Sequence, residues 1–202
     1  MLRVAVLSVH TCPLACLGGW ETGGMNVYVR ELSRELGKLD VATDVFTRRQ
    51  DPELSTVVAL GENARVVHID AGPPRHVDKY AVLDYLSEFA CNVQRFRNFH
   101  GARYDLVHAH YWLSGRLGTL FQDHWGVPTV AMFHTLAQMK NRVAQDDAER
   151  EQQIRVDIER RTMTTVDRII AATVRSIFAT IVTRDRRILN YAKQGHMTAM
   201  AL

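Results

Sequence analysis

The sequence predicts an α/β fold, a Rossmann-like and mainly parallel sheet with helices on both faces. Three observations carry that reading. The chain opens on a near-continuous apolar run, Leu2–Val9 (LRVAVLSV), the pattern of a strand covered on both sides. Further short apolar runs then alternate with longer segments of helical periodicity. A glycine pair, Gly23-Gly24, stands between the first run and the first helical segment.

Taken in order, the first helix is marked by Met25, Tyr28, Val29, Leu32 and Leu36, one apolar stripe with Gly37 as the expected stop. Ala42–Thr47 is the second strand, and Val57–Leu60 and Arg65–Ile69 are shorter ones. Val77–Phe99 reads as a long helix. Leu106–Ala109, after Tyr104-Asp105, is a strand, and Trp112–His124 a helix. A Gly-Val-Pro turn at 126–128 introduces the strand Val130–Phe133. Ala148–Val166 is a strongly charged helix, and Arg168–Ala172 (RIIAA) a final buried strand.

The 202 residues, 47% of them hydrophobic, suffice to bury one good core or at most two small ones. No apolar run approaches the roughly 20 residues of a membrane-spanning helix, and Leu2–Val9 lacks a signal-peptide cleavage pattern, so a cytoplasmic chain with no transmembrane segment is expected. Cys12, Cys16 and Cys91 show no paired spacing and are expected to be reduced. The net charge of +3 is uneven. Residues 175–202 hold Arg175, Arg184, Arg186, Arg187 and Lys193 against Asp185 alone, a balance of +4, which leaves 20 basic and 21 acidic residues for the rest. A near-neutral body without a basic stripe argues against a nucleic-acid partner.

The glycine pair carries the first functional signal. Glycines there let backbone N–H groups approach a ligand, and a helix N-terminus favours an anion, so a phosphorylated ligand is expected near Gly24. A tight turn without a ligand is the plainer alternative. In open α/β sheets ligands gather beyond the carboxyl ends of the strands, and polar residues stand there. His10 follows the first strand, His108, His110 and Tyr111 end another, and His134-Thr135 follow the next. One strand-end histidine is ordinarily a structural hydrogen-bonder; three strands delivering histidine to one edge point to a site.

SVHTCPLA, GGMNVYVRELSRELG, DLVHAHYWLSG, GVPTVAMFHTLAQMKN and VDRIIAAT together resemble the N-terminal lobe of GT-B retaining glycosyltransferases. The resemblance covers roughly residues 2–173 and is nearest to the branch of sucrose-phosphate synthases and inositol-phosphate glycosyltransferases. It implies an acceptor-binding lobe, with a UDP-, GDP- or ADP-sugar as donor substrate, no further cofactor and no metal. His10 and Gly23, Gly24, Met25 and Asn26 would line the acceptor pocket, with Gly24 also near the donor diphosphate. Lys79, Tyr111, Thr135 and Arg155 match positions that grip an acceptor phosphate, and an ammonium and a guanidinium with two hydroxyls suit a dianion. His134 matches a histidine near the reacting sugar, the catalytic position. Cys16-Leu17 and Trp20-Glu21 depart from the family's small, polar loop.

The resemblance ends near Thr173. The donor lobe is absent from these residues, and 174–202 form an atypical basic tail without a clear helical stripe or strand alternation. A truncated or frameshifted reading frame, inactive alone and prone to self-association through its exposed interlobe face, is the expectation. Glu151 and Glu159 fit the spacing of the family's donor-lobe glutamate pair but lie in a charged segment (EREQQIRVDIERR) and read as solvated helix charges. Two other classes stay open. A non-catalytic phosphosugar-binding module shares every motif. A metal-dependent hydrolase is suggested by His108-x-His110, and His10, Cys12 and Cys16 form a second, ligand-poor metal possibility.

Overall fold

A computed structural model describes residues 1–16, 23–165, 168–170, 180–183 and 198–201. The chain divides into two compact units, Met1–His108 and Ala109–Leu202.

The first unit contains β1 (Arg3–Leu7), α1 (Gly24–Lys38), β2 (Ala42–Arg48), β3 (Val57–Gly61), β4 (Ala64–Ile69), a 3₁₀ helix (Ala81–Tyr85), α2 (Leu86–Phe99) and the start of β5 (Leu106–His110). Its strands lie in the order β3-β4-β2-β1-β5. β1 and β2 are parallel, Val4 facing Thr43 and Leu7 facing Phe46, and β2 and β4 are parallel. β3 runs antiparallel to β4. Val4–Leu7 and Thr43–Arg48 are buried without a break. Successive strand side chains point to opposite faces, so both faces are covered, as expected of parallel strands joined by helices. The buried Asp44 is held by Arg65 at 2.6 Å and the Tyr104 hydroxyl at 2.6 Å, which keeps its charge paired.

Two expectations in this unit need correction. The buried face of α1 is Asn26, Val29, Ser33 and Gly37, while Tyr28 is exposed and Leu32 and Leu36 are only partly buried. The apolar stripe is thus rotated from the line that touches the sheet. Gly37 does not stop the helix, which runs on through Lys38; a Cβ at Gly37 would stand 1.8 Å from the Glu62 carbonyl oxygen. The helix approaches its neighbour so closely that small residues must face it. The long helix expected from Val77 begins only at Ala81, as a 3₁₀ turn, and becomes α-helical at Leu86.

The second unit contains the end of β5, then α3 (Tyr111–Trp125), β6 (Thr129–Met132), α4 (Ala137–Val143), α5 (Gln153–Thr165), β7 (Arg168–Ile170), β8 (Thr180–Thr183) and β9 (Thr198–Ala201). β7 pairs parallel with β6, and β8 with β9, so the tail holds two strands that its sequence pattern did not announce. Ala171 and Ala172, expected in the last strand, lie outside the described residues. The charged helix expected from Ala148 starts at Gln153. Asn141 explains this: its side chain donates to the Glu151 carbonyl and accepts the Glu151 amide, taking both main-chain groups away from a helical turn. No helix among the described residues is long and apolar enough to cross a membrane.

Candidate functional site

In the first unit the glycine turn caps α1. Gly23 is extended (φ −161°), and a Cβ at Gly23 or Gly24 would meet nothing within 4 Å. Neither backbone conformation nor packing among the described residues therefore demands glycine here. Asn26, 1% exposed, donates through Nδ2 to Thr11 Oγ1 and to the Cys12 carbonyl, both at 2.7 Å, and fastens the loop after β1 to the first turn of α1. Met25 packs against the core cluster of Val4, Val6, Val29 and Val45. His10 is buried and its carbonyl accepts from Gln50 Nε2. Lys79 is partly buried, its ammonium 5.3 Å from the centre of the Tyr80 ring.

In the second unit the start of α3, the turn after β6 and α5 bring four expected residues together. Arg155 is fully buried and donates from all three guanidinium nitrogens. Nε donates to Glu159 Oε1 at 2.7 Å. Nη1 donates to the Tyr111 hydroxyl at 2.9 Å and forms an ion pair with Glu151, 2.9 Å from its Oε1. Nη2 donates to the Thr135 carbonyl at 2.8 Å and to Thr135 Oγ1 at 3.1 Å. The guanidinium carbon also lies 4.6 Å from the centre of the Tyr111 ring. Burial disfavours the charged form, but Tyr111, Glu159 and Glu151 outweigh it and push the Arg155 pKa up, so the cation persists.

His134 sits beside this cluster, buried, with its Nε2 3.0 Å from Nδ1 of the fully buried His110. One nitrogen donates and the other accepts, which fixes the two rings against each other. Tyr111 (φ 75°) and His134 (φ 60°) both adopt the left-handed region without being glycine. The Thr135 amide closes a three-residue turn around His134 by donating to the Phe133 carbonyl at 2.6 Å. Backbone strain of this kind is held only where surrounding contacts enforce it, and it concentrates at functional sites.

Glu151 and Glu159 correct an expectation. They are 6% and 3% exposed, not solvated. Glu151 is shared between Arg155 and Lys140. Glu159 accepts from Arg155 and, through Oε2, from the Ala137 amide at 2.8 Å, so it caps the N-terminus of α4. The signal that would have found them is the spacing itself: 151, 155 and 159 are four apart with alternating sign, as on one helix face. His108, the residue two before His110, is buried, and burial lowers its pKa to about 4. Among the described residues no group of three His, Cys, Asp or Glu side chains is placed to hold a metal ion.

A family model for the glycosyl transferase 4-like domain matches residues 23–176. The D-inositol 3-phosphate glycosyltransferase of Thermobispora bispora is 41% identical over 174 residues, 85% of this chain and 40% of that protein. Its namesake in Kineococcus radiotolerans is 42% identical over 172 residues, again 85% and 40%. The chain therefore spans about two fifths of the length of these curated relatives. Among solved structures, sucrose-phosphate synthase from Thermosynechococcus elongatus superposes with a TM-score of 0.77 at 24% identity, over 100% of this chain and 47% of that one. The catalytic domain of starch synthase IV from Arabidopsis thaliana gives 0.58 at 12% identity, over 100% and 51%. These structural likenesses establish the fold.

Proposed function

Because this chain belongs to the glycosyl transferase 4-like family, we propose that it forms the acceptor-binding lobe of a retaining glycosyltransferase. The donor is a UDP-, GDP- or ADP-sugar and the acceptor an inositol phosphate or related phosphosugar. The observation that carries the acceptor class is the Arg155 cluster, in a chain about 40% identical to proteins named D-inositol 3-phosphate glycosyltransferase.

The chemistry of that cluster supports phosphate recognition through hydroxyls. Arg155 donates into the oxygens of Tyr111 and Thr135. A hydroxyl that accepts from a guanidinium keeps its own proton for an outside acceptor, and the adjacent cation strengthens that donation. Tyr111 and Thr135 are thus the direct phosphate ligands in this reading, and Arg155 orients them and supplies charge. Lys79 is assigned as an ammonium ligand for phosphate. His134, braced by His110, is assigned to the side of the reacting sugar. The open space over Gly23 and Gly24 among the described residues supports close approach of an anionic donor to the first amides of α1.

Calorimetric titration of the chain with inositol 3-phosphate and with inositol tests the reading. Tyr111→Phe and Thr135→Val are expected to weaken the phosphorylated ligand more than tenfold and leave the parent inositol unchanged. Equal affinity for the two ligands in the unsubstituted chain would overturn it.

A further inference from the structure

The last residue of β2, Arg48, is an arginine with no counterpart among the sequence-derived site residues, and its side chain is completely buried. Among the described residues no carboxylate pairs with it. Its guanidinium is met instead by main-chain carbonyls: Nη1 donates to Pro73 O at 2.7 Å, Arg49 O at 3.3 Å and Ala71 O at 3.5 Å, and Nη2 to Arg75 O at 2.6 Å. A charge taken wholly out of water is costly, and one solvated only by carbonyl dipoles is retained at the expense of stability. What it holds is a single loop, taken at residues 71, 73 and 75.

The other anchors of that loop fix its beginning. Asp70 is bound by Arg49 Nε at 2.6 Å, and its carbonyl accepts from Asn92 at 2.7 Å. The Gly72 amide donates to Glu88 at 2.9 Å. Gly72 has φ 65°, and a Cβ there would come within 2.6 Å of the Tyr85 ring, so only glycine lets the loop lie against the 3₁₀ helix. Beyond Arg75, the last residue that Arg48 holds, the chain runs four residues to Lys79.

We propose that Arg48 is a positioning residue that presets the 71–79 loop, and through it Lys79, for a phosphorylated acceptor. The proposal rests on the acceptor reading of Lys79 given above. Holding the loop in the folded protein removes the ordering cost from the binding step, which is how preorganisation raises affinity.

Two measurements on the 202-residue chain test it, amide hydrogen exchange and calorimetry with inositol 3-phosphate and inositol. Arg48→Met is expected to speed exchange of the amides from Gly72 to Lys79 at least tenfold while β1 and β2 keep their protection. It should weaken inositol 3-phosphate at least fivefold and leave inositol within twofold. Lys79→Ala should weaken inositol 3-phosphate more than tenfold, and adding Arg48→Met to it should cost no more than a further twofold, because the clamp acts through Lys79. If Arg48→Met does not fold, Arg48→Lys serves. It keeps the cation but reaches fewer carbonyls, and a two- to fivefold loss of inositol 3-phosphate with a looser loop is expected. Unchanged exchange in the loop, a loosened loop with unchanged phosphate affinity, or additive losses in the double variant each overturn the role of Arg48. Unchanged phosphate affinity in Lys79→Ala overturns the acceptor reading of Lys79 itself, a distinct failure that the single substitution exposes.

Discussion

Glu159 Oε1 accepts the Arg155 Nε–H at 2.7 Å from one helical turn away, while its second oxygen accepts the Ala137 amide at 2.8 Å. One carboxylate therefore orients the guanidinium that holds Tyr111 and Thr135 and also caps α4. The two charges are buried together, so neither is expendable alone.

Arg155→Met is expected to destabilise the fold by about 3–5 kcal/mol, because Glu159 and Glu151 are left buried without their cation. Arg155→Met with Glu159→Met should cost less than the two single losses added, with a coupling of at least about 1 kcal/mol. Urea denaturation of the three variants measures it. Additive losses would mean that the pair does not act as a unit.

Stability should fall in mild acid because of His108. Burial lowers its pKa from 6.5 to about 4, so the unfolded chain binds the extra proton first. The contribution is complete above pH 6.5 and is lost as pH drops through that window to about 4, amounting to about 3 kcal/mol at the bottom. Denaturant midpoints at pH 7 and pH 4.5 for the chain and for His108→Asn check this. The substituted chain should show a visibly shallower pH dependence.

Gly37→Ala and Gly24→Ala should behave oppositely. At Gly37 the new methyl group would collide with the Glu62 carbonyl, at a cost of about 2–3 kcal/mol. At Gly24 there is open space among the described residues, and stability should stay within about 0.5 kcal/mol. On the proposed donor approach to the start of α1, nucleotide-sugar binding measured by calorimetry should nevertheless weaken in Gly24→Ala. A destabilised Gly24→Ala would instead assign that glycine to packing.

These 202 residues supplied alone are expected to bind acceptor without turning over donor. Departure of the sugar leaves charge on a diphosphate, and a few amides at the start of α1 are a small part of the stabilisation that step needs. Loss of even one preorganised contact costs about 10²–10³ in rate. Incubation with UDP-, GDP- and ADP-sugars and inositol 3-phosphate tests the point. Multiple-turnover product would refute it.

Much of this was legible in the residues. The unbroken burial of Val4–Leu7 and Thr43–Arg48 answers to apolar runs that need no partner to be recognised. The order of strands and helices from β1 to β6 followed from periodicity, whereas α4, β8 and β9 did not, and the family came from motifs in their correct sequence. Placing Tyr111 and Thr135 in one cluster with Arg155 depended on that family likeness, since the four-residue spacing of Glu151, Arg155 and Glu159 reports only partners on their own segment.

The chain by itself determined the element types and the strand-end location of its polar residues, because both depend on local periodicity and on turn chemistry. Which side of a helix is buried, and which charges are solvated, only the tertiary structure decided. α1 turns Gly37 inward, where the Glu62 carbonyl leaves no room for a side chain. Glu151 and Glu159 are buried because Lys140, Arg155 and the Ala137 amide come to them from elsewhere in the unit. Arg48 is retained inside because a loop more than twenty residues away supplies its carbonyls. Long-range partners set the free energy of a buried polar group, and no local pattern reports them.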